Sequence, residues 1–253
     1  MIEIQIMDYS KYLQRIKLTE EITLDLTSLK KLQEHHLYAI PFENLDIHYG
    51  NKIELDIDRT YTKVIEQNRG GFCYELNTLF HYLLSYMGFN PKLIGATVYN
   101  KELQQYTEEL GHLALVVEVD KRHYLADVGF GEFALHPLMI DCTGPQTDPR
   151  GTFQIDRLQE QYQVSTLIND SFVPCYRFEF IERKLEEFES MCHFQQTSPE
   201  SIFTKQKLIT RPTPNGRITL TSSSLKITKG NKVLQEEAIN DELFDQYLIK
   251  YFQ

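Results

Sequence analysis

Cysteine is sparse in this chain, and Cys73, Cys142, Cys175 and Cys192 include no Cys-x-x-Cys pair. The usual signatures of a structural zinc site and of a disulfide framework are therefore missing, and no metal is expected. No apolar run reaches the length of a membrane span, and the opening Met1-Ile2-Glu3-Ile4-Gln5 carries an early acid and no signal-peptide core. A cytoplasmic protein without a membrane partner is expected. Basic charge is short as well: 26 Lys and Arg face 36 Asp and Glu, a net charge of −10. That balance argues against non-specific binding of nucleic acid. Repeats and low-complexity tracts are also missing. What is present, 253 residues with 42% apolar and 25% charged content, suits a globular chain of one large domain or several small ones.

Against that background the segment Arg69-Gly70-Gly71-Phe72-Cys73-Tyr74-Glu75-Leu76-Asn77 is the most informative. The glycines, which tolerate positive φ, mark a turn. Leu76, Leu79, Phe80, Leu83, Leu84 and Met87 then recur at helical spacing up to a stop at Gly88. Cys73 falls in the first helical turn, where unpaired N–H groups and the positive end of the dipole favour thiolate over thiol. Most cysteines are simply small buried hydrophobes. The paired glycines set Cys73 apart, because they let other groups approach the backbone beside the sulfur. The other three thiols have no such setting and read as buried or incidental.

A nucleophilic cysteine needs a base, and the base needs an orienting partner. Two short apolar, β-branched runs flank Asp120-Lys121, which predicts an antiparallel hairpin. A turn centred there pairs Val119 with Arg122, Val117 with Tyr124 and Ala114 with Asp127. His112 then shares a face with Asp127 as its diagonal neighbour, about 7–8 Å away between backbones and within side-chain reach. The pairing depends on register, and Asp-Lys is a weaker turn signal than Asn-Gly. His35, His36, His81 and His123 are placed on helices or on the wrong face. His48, His136 and His193 are not eliminated by sequence.

Cys, His and Asp in that order make the chain resemble an arylamine N-acetyltransferase. Three blocks carry the resemblance: Arg69 to Glu75, Gly111-His112-Leu113-Ala114-Leu115, and Asp127-Val128-Gly129-Phe130-Gly131. Pro41-Phe42-Glu43-Asn44-Leu45 upstream and Gln195 to Phe203 downstream agree in the same order. The resemblance implies Cys73 as acyl-accepting nucleophile, His112 as base and Asp127 as orienting group, with acetyl-coenzyme A as donor and an arylamine or arylhydrazine as acceptor. One position departs: many members carry a hydroxyl residue before the histidine, where this chain has Gly111.

The chemistry also follows from the residue types. A thiolate attacks a thioester readily, so acetyl can pass to Cys73 and then to an unprotonated amine that gives its proton to His112, with ping-pong kinetics. The Cys73 N–H is a candidate oxyanion donor. A hydrolase or transamidase of the papain or transglutaminase type uses the same residue order, and a non-catalytic binding protein on the same fold is a further alternative. A transferase must exclude water from the thioester, and Phe42, Phe72, Phe130 and Phe194, next to the motif blocks, are the candidate substrate-pocket walls, or else ordinary core. Coenzyme A phosphates need positive charge. Ser201 to Gln235 contains no acid and seven Lys or Arg, which form a phosphate-facing edge or ordinary solvated hairpin faces. Lys226 and Lys229 in that segment, with Gly129 and Gly131 in the Asp127 block, are the candidate cofactor contacts.

Periodicity predicts an α+β fold: an N-terminal helical bundle over 1–88, a central antiparallel β-barrel-like sheet over 89–193 and a C-terminal α/β lid over 194–253; the resemblance implies a cysteine-protease-like Cys-His-Asp core. Helices are expected near Tyr9 to Ile16, after a Thr27 cap, around Asp58 to Glu66 and from Cys73. Asn215-Gly216 and Lys229-Gly230-Asn231 are expected hairpin turns, and Asn240 the cap of a last helix. Glu43 and Asn44, polar in an apolar setting, are expected to hydrogen-bond the turn that carries Cys73.

Overall fold

The computed structural model describes residues 7–230 and 232–252. The opening segment read for a signal peptide, and Asn231 of the last predicted turn, lie outside the described residues. Helices Tyr9–Arg15, Leu26–Ala39 and Cys73–Tyr86 form the N-terminal part. The second is capped by Asp25, whose carboxylate takes the Ser28 N–H at 2.8 Å, so the predicted Thr27 cap lies two residues inside the helix. The predicted helix after Asp58 begins at Ile57 as an α-turn and continues through Thr62–Glu66 as a π-helix.

The cysteine helix, Cys73–Tyr86, buries Leu76, Leu79, Phe80, Leu83 and Leu84 completely and ends at Gly88, whose φ of 95° only glycine adopts freely. Its partner is the strand His112–Val119 of a nine-stranded antiparallel sheet. In spatial order the strands run Leu138–Met139, Arg122–Ala126, His112–Val119, Pro91–Asn100, Ser171–Glu179, Gln161–Ile168, Gly151–Leu158 and Gln146–Asp148, with Gln105–Tyr106 attached to Pro91–Asn100. Leu138–Met139 comes back into contact with Gly151–Leu158, so the sheet nearly closes into a barrel. Both faces of the histidine strand are therefore covered: Leu113, Leu115 and Val117 join the helical core, whereas Ala114 and Val116 join the barrel core.

The predicted hairpin register is observed, with Val119 opposite Arg122, Val117 opposite Tyr124 and Leu115 opposite Ala126. Asp120 and Lys121 both take positive φ, 50° and 62°, as a type I′ turn demands. A second antiparallel sheet orders Phe42–Glu43, Leu208–Thr213, Gly216–Thr221, Ser224–Lys229 and Lys232–Ala238, with helix Asp241–Phe252 against Gly216–Thr221 and Asn240 at its cap. The Asn-Gly turn is displaced by one residue: Thr213 pairs with Gly216, so Pro214-Asn215 forms the tip. Gly216 is needed instead because a Cβ there would sit 1.9 Å from the Thr228 carbonyl oxygen.

Candidate active site

Cys73 is the first residue of its helix and is 3% exposed. The turn before it works by close approach rather than by unusual backbone angles, since neither Gly70 nor Gly71 has positive φ. A Cβ on Gly70 would lie 2.1 Å from the Pro41 carbonyl oxygen, and one on Gly71 2.9 Å from the Glu75 carboxylate. Glu75 reaches back to take the Phe72 N–H at 3.1 Å, filling one of the open donors at the helix start. Lys63 bonds Glu75 at 2.8 Å and Asp46 at 2.7 Å, and Arg69 bonds Glu43 at 2.7 Å and Asp46 at 3.0 Å. Burial works against the Lys63 ammonium, yet Glu75, Glu43 and Asp46 hold it above its ordinary value. Five charges thus lock the turn to the helix from behind.

The two polar residues after Pro41 divide their work. Glu43 binds the turn through Arg69 and through its own N–H, which donates to the Gly71 carbonyl at 2.8 Å. Asn44 does not: its amide donates to the Phe203 and Gln206 carbonyls and its oxygen takes the Leu208 N–H, so it fastens the C-terminal segment.

The hairpin places His112, 2% exposed, with Nε2 at 2.7 Å from Oδ2 of Asp127. Nδ1 is the ring nitrogen that Asp127 does not hold, and Cys73 lies near enough to act on the imidazole. Burial pulls the His112 imidazole down, but the Asp127 charge and hydrogen bond, together with Cys73, raise it to about 10. Burial pushes the Asp127 carboxyl up, and His112, Asn77 and the Gly129 N–H outweigh it, holding the acid below its ordinary value. The pair is therefore imidazolium and carboxylate.

Asp127 is 1% exposed and accepts four hydrogen bonds: His112 Nε2 and the Tyr176 hydroxyl on Oδ2, Asn77 Nδ2 and the Gly129 N–H on Oδ1. At about 1.5–3 kcal/mol for a hydrogen bond to a charged group, these four are what make a buried carboxylate tolerable. Gln33 takes the Asp127 N–H at 3.3 Å and donates to the Leu135 carbonyl. Asn77 and Tyr176 were not among the predicted site residues. Asn77 lies four residues after Cys73, on the same helix face, and that spacing is the signal that points to it. Tyr176 sits on a distant strand within an apolar run, and nothing local marks it.

The remaining predicted residues fall as follows. Phe130 meets the His112 ring edge to face at 5.1 Å and also contacts Tyr176. Phe42 and Phe72 are buried and both pack on Phe203, at 6.0 Å and 6.2 Å. Phe194 is half-buried on the helix Glu189–Thr197. Gly129 packs against the cysteine itself, since a Cβ there would lie 2.7 Å from Cys73 Cα and from Asn77 Nδ2. Gly131 has positive φ, 63°, with open space beside it. Lys226 pairs with Glu236 at 3.5 Å, and Lys229 stands opposite Lys232. At Gly111 a side chain would crowd the Glu108 carbonyl at 3.0 Å and the Thr107 hydroxyl at 3.4 Å, a local reason for the missing hydroxyl residue. The competing histidines have other partners: His36 bonds Tyr12 and is held near 3 by burial, His48 bonds the Phe203 carbonyl, and His136 lies against Glu34.

Known proteins are similar to this chain in sequence and in fold. A sequence model described as N-acetyltransferase covers residues 25–253. Human arylamine N-acetyltransferase 1 is 30% identical over 97% of this chain and 93% of its own length. The chain belongs to the arylamine N-acetyltransferase family. Among solved structures, the family member from Salmonella typhimurium superposes with a TM-score of 0.89 at 25% identity, covering 96% of this chain and 89% of that one. An arylamine N-acetyltransferase from Bacillus cereus, 28% identical with a TM-score of 0.89 over 98% of each chain, is described as having a Cys-His-Glu catalytic triad. Membership makes this chain an acyltransferase and sets aside the hydrolase and the non-catalytic readings. The fold is the mixed helical and barrel-like architecture with a cysteine-protease-like core that the sequence predicted.

Proposed function

We propose that the protein transfers acetyl from acetyl-coenzyme A to the amino group of arylamines or arylhydrazines through a Cys73 thioester, with His112 as base and Asp127 as orienting group. The observation that carries this is the buried Asp127–His112 pair, with Cys73 at the start of its helix near enough to raise the imidazole. The imidazolium beside Cys73 stabilises the thiolate, which adds to the acetyl carbonyl of the donor. The collapsing adduct expels the coenzyme A thiolate, which takes a proton from the imidazolium. His112, now neutral, accepts a proton from the amine as it attacks the Cys73 thioester. Collapse returns the Cys73 thiolate and releases the amide. The Cys73 N–H, at a helix start, is the group we assign to the oxyanion. Phe130 is the apolar wall that keeps water from the thioester; Phe42 and Phe72, packed on Phe203 in the helical core, and Phe194 complete the set of aromatic candidates.

We assign Lys226, Lys229 and Gly131 to the coenzyme A side. Charge reversal at Lys226 and Lys229 is expected to raise the KM for acetyl-coenzyme A about tenfold while leaving the KM for the amine alone. An unchanged KM removes both lysines from that role. Four unpaired thiols support a reducing, cytoplasmic location.

The direct test is alkylation. Iodoacetamide is expected to label Cys73 stoichiometrically near neutral pH, faster than a free thiol, because His112 stays charged far above neutrality. Acetyl-coenzyme A should block it. Labelling at the rate of a free thiol, or indifferent to the donor, contradicts the assignment.

A further inference from the structure

Lys63 lies behind the cysteine helix with its side chain 12% exposed, against a Glu75 side chain that is 4% exposed. It comes from the π-helical turn Thr62–Glu66, a kind of turn that recurs at functional sites. Its ammonium donates to both Glu75 oxygens, at 2.8 Å and 3.1 Å, and its carbonyl takes the Arg69 N–H at 3.1 Å. Glu75 is the third residue of the cysteine helix, and its Oε2 also takes the Phe72 N–H at 3.1 Å. One carboxylate oxygen thus serves both the lysine and the backbone immediately before the nucleophile. The next N–H along the chain is that of Cys73.

Charge makes this contact more than a brace. Glu43, Asp46 and Glu75 share Lys63 and Arg69, so three acids lean on two bases behind the nucleophile. Burial pushes the Glu75 carboxyl up, Lys63 opposes burial and Glu43 adds to it. The neighbouring groups bring no positive charge that could replace the lysine. Burial pushes the Cys192 thiol, which faces Glu75 from the helix Glu189–Thr197, up to about 12, and it raises the Tyr74 phenol as well. On the other side of Cys73, His112 is already held by Asp127. Without Lys63, Glu75 can stay in place only by taking a proton. Ionised, it is a bare buried charge that repels a thiolate at Cys73 and is driven toward water, away from the Phe72 N–H.

We propose that Lys63 is a positioning residue of the acetyl transfer. By neutralising Glu75 it keeps that carboxylate on the Phe72 N–H, and so holds the first turn of the cysteine helix, with the Cys73 sulfur and N–H, in the geometry that both half-reactions use. This rests on the transferase reading above, and one arm of the test is independent of it.

The test compares Lys63→Met, Lys63→Arg and the double variant Lys63→Met with Glu75→Gln, whose amide oxygen can still accept at the third helical position without carrying charge. At about pH 8, Lys63→Met should lower kcat about tenfold and leave the KM for acetyl-coenzyme A and for the amine within about twofold, because the geometry at the sulfur changes and the binding surfaces do not. Lys63→Arg and the double variant should each return to within about threefold of the native kcat. At about pH 5.5 the deficit of Lys63→Met relative to the native protein should shrink, since the bare Glu75 carboxyl, raised by burial, then keeps its proton. Stability follows the same sign. An acid whose folded value is raised stabilises at low pH and loses that contribution as pH rises through the folded value, so the drop in melting temperature of Lys63→Met should be larger at the higher pH and should lose this dependence in the double variant. Iodoacetamide labelling of Cys73 reads the same geometry without turnover, and should slow about tenfold in Lys63→Met and recover in the double variant. Native kcat and native labelling in Lys63→Met, even with a lower melting temperature, would leave Lys63 a purely structural role and overturn the proposal, as would a double variant no better than Lys63→Met. The expected labelling pattern in a protein that acetylates no amine supports the positioning role and refutes the transferase reading instead.

Discussion

Asparagine at position 127 is expected to lower kcat/KM by about 10³- to 10⁴-fold, the scale seen when an orienting carboxylate behind a catalytic histidine becomes an amide. The physical reason lies in the four donors aimed at this side chain. An amide replaces one accepting oxygen with an NH₂ group, so either His112 and Tyr176 or Asn77 and Gly129 meet a donor instead of an acceptor. His112 also loses the charge that holds it at about 10, well above its ordinary 6.5. A histidine raised in the folded state contributes stability that is fully present below its unfolded value and is lost as pH rises through the folded one. The native protein should therefore lose stability between pH 6.5 and about 10, and Asp127→Asn should flatten that slope. Thermal melts across that range check the linkage, and an unchanged slope contradicts the ion pair.

Alanine at Gly129 should have the next largest effect, about 10²-fold in kcat/KM, with a loss of about 1–3 kcal/mol in stability. The added Cβ would sit 2.7 Å from both Cys73 Cα and Asn77 Nδ2, and the first of these is backbone that cannot swing aside. Asn77 is the more mobile neighbour, and moving it releases Asp127 and the Val128 N–H together. Urea melts and the Cys73 alkylation rate read the two consequences separately. A variant of native stability and native alkylation rate would mean that the contact between Gly129 and the cysteine has no functional weight.

The parts of this protein that were legible in its sequence are those whose information is local. Helical spacing from Leu76 to Met87 located the cysteine helix, and a weak Asp-Lys turn still gave the right register. The register held because both faces of the histidine strand are buried, so a one-residue slip would exchange two packed faces at once. Local signals misled where they had two meanings. Gly70 and Gly71 were expected both for a turn of positive φ and for close approach, and only the close approach is found, while Gly216 was expected for its turn and is required because the Thr228 backbone passes too close for a side chain. Long-range pairings carried no such signal. Tyr176 reaches Asp127 from 49 residues away and does not look unusual within its own segment; Asn44 stood out as polar in an apolar setting, but nothing local pointed to Leu208, 164 residues away.

The central claim, that Cys73 carries the acetyl group in transit, is tested most directly by the mass of the intact protein after exposure to acetyl-coenzyme A. The expected result is a single acetyl added at Cys73, absent from Cys73→Ala, stable in buffer and discharged by an aromatic amine. No adduct, an adduct on another residue, or discharge by water as fast as by the amine would contradict it.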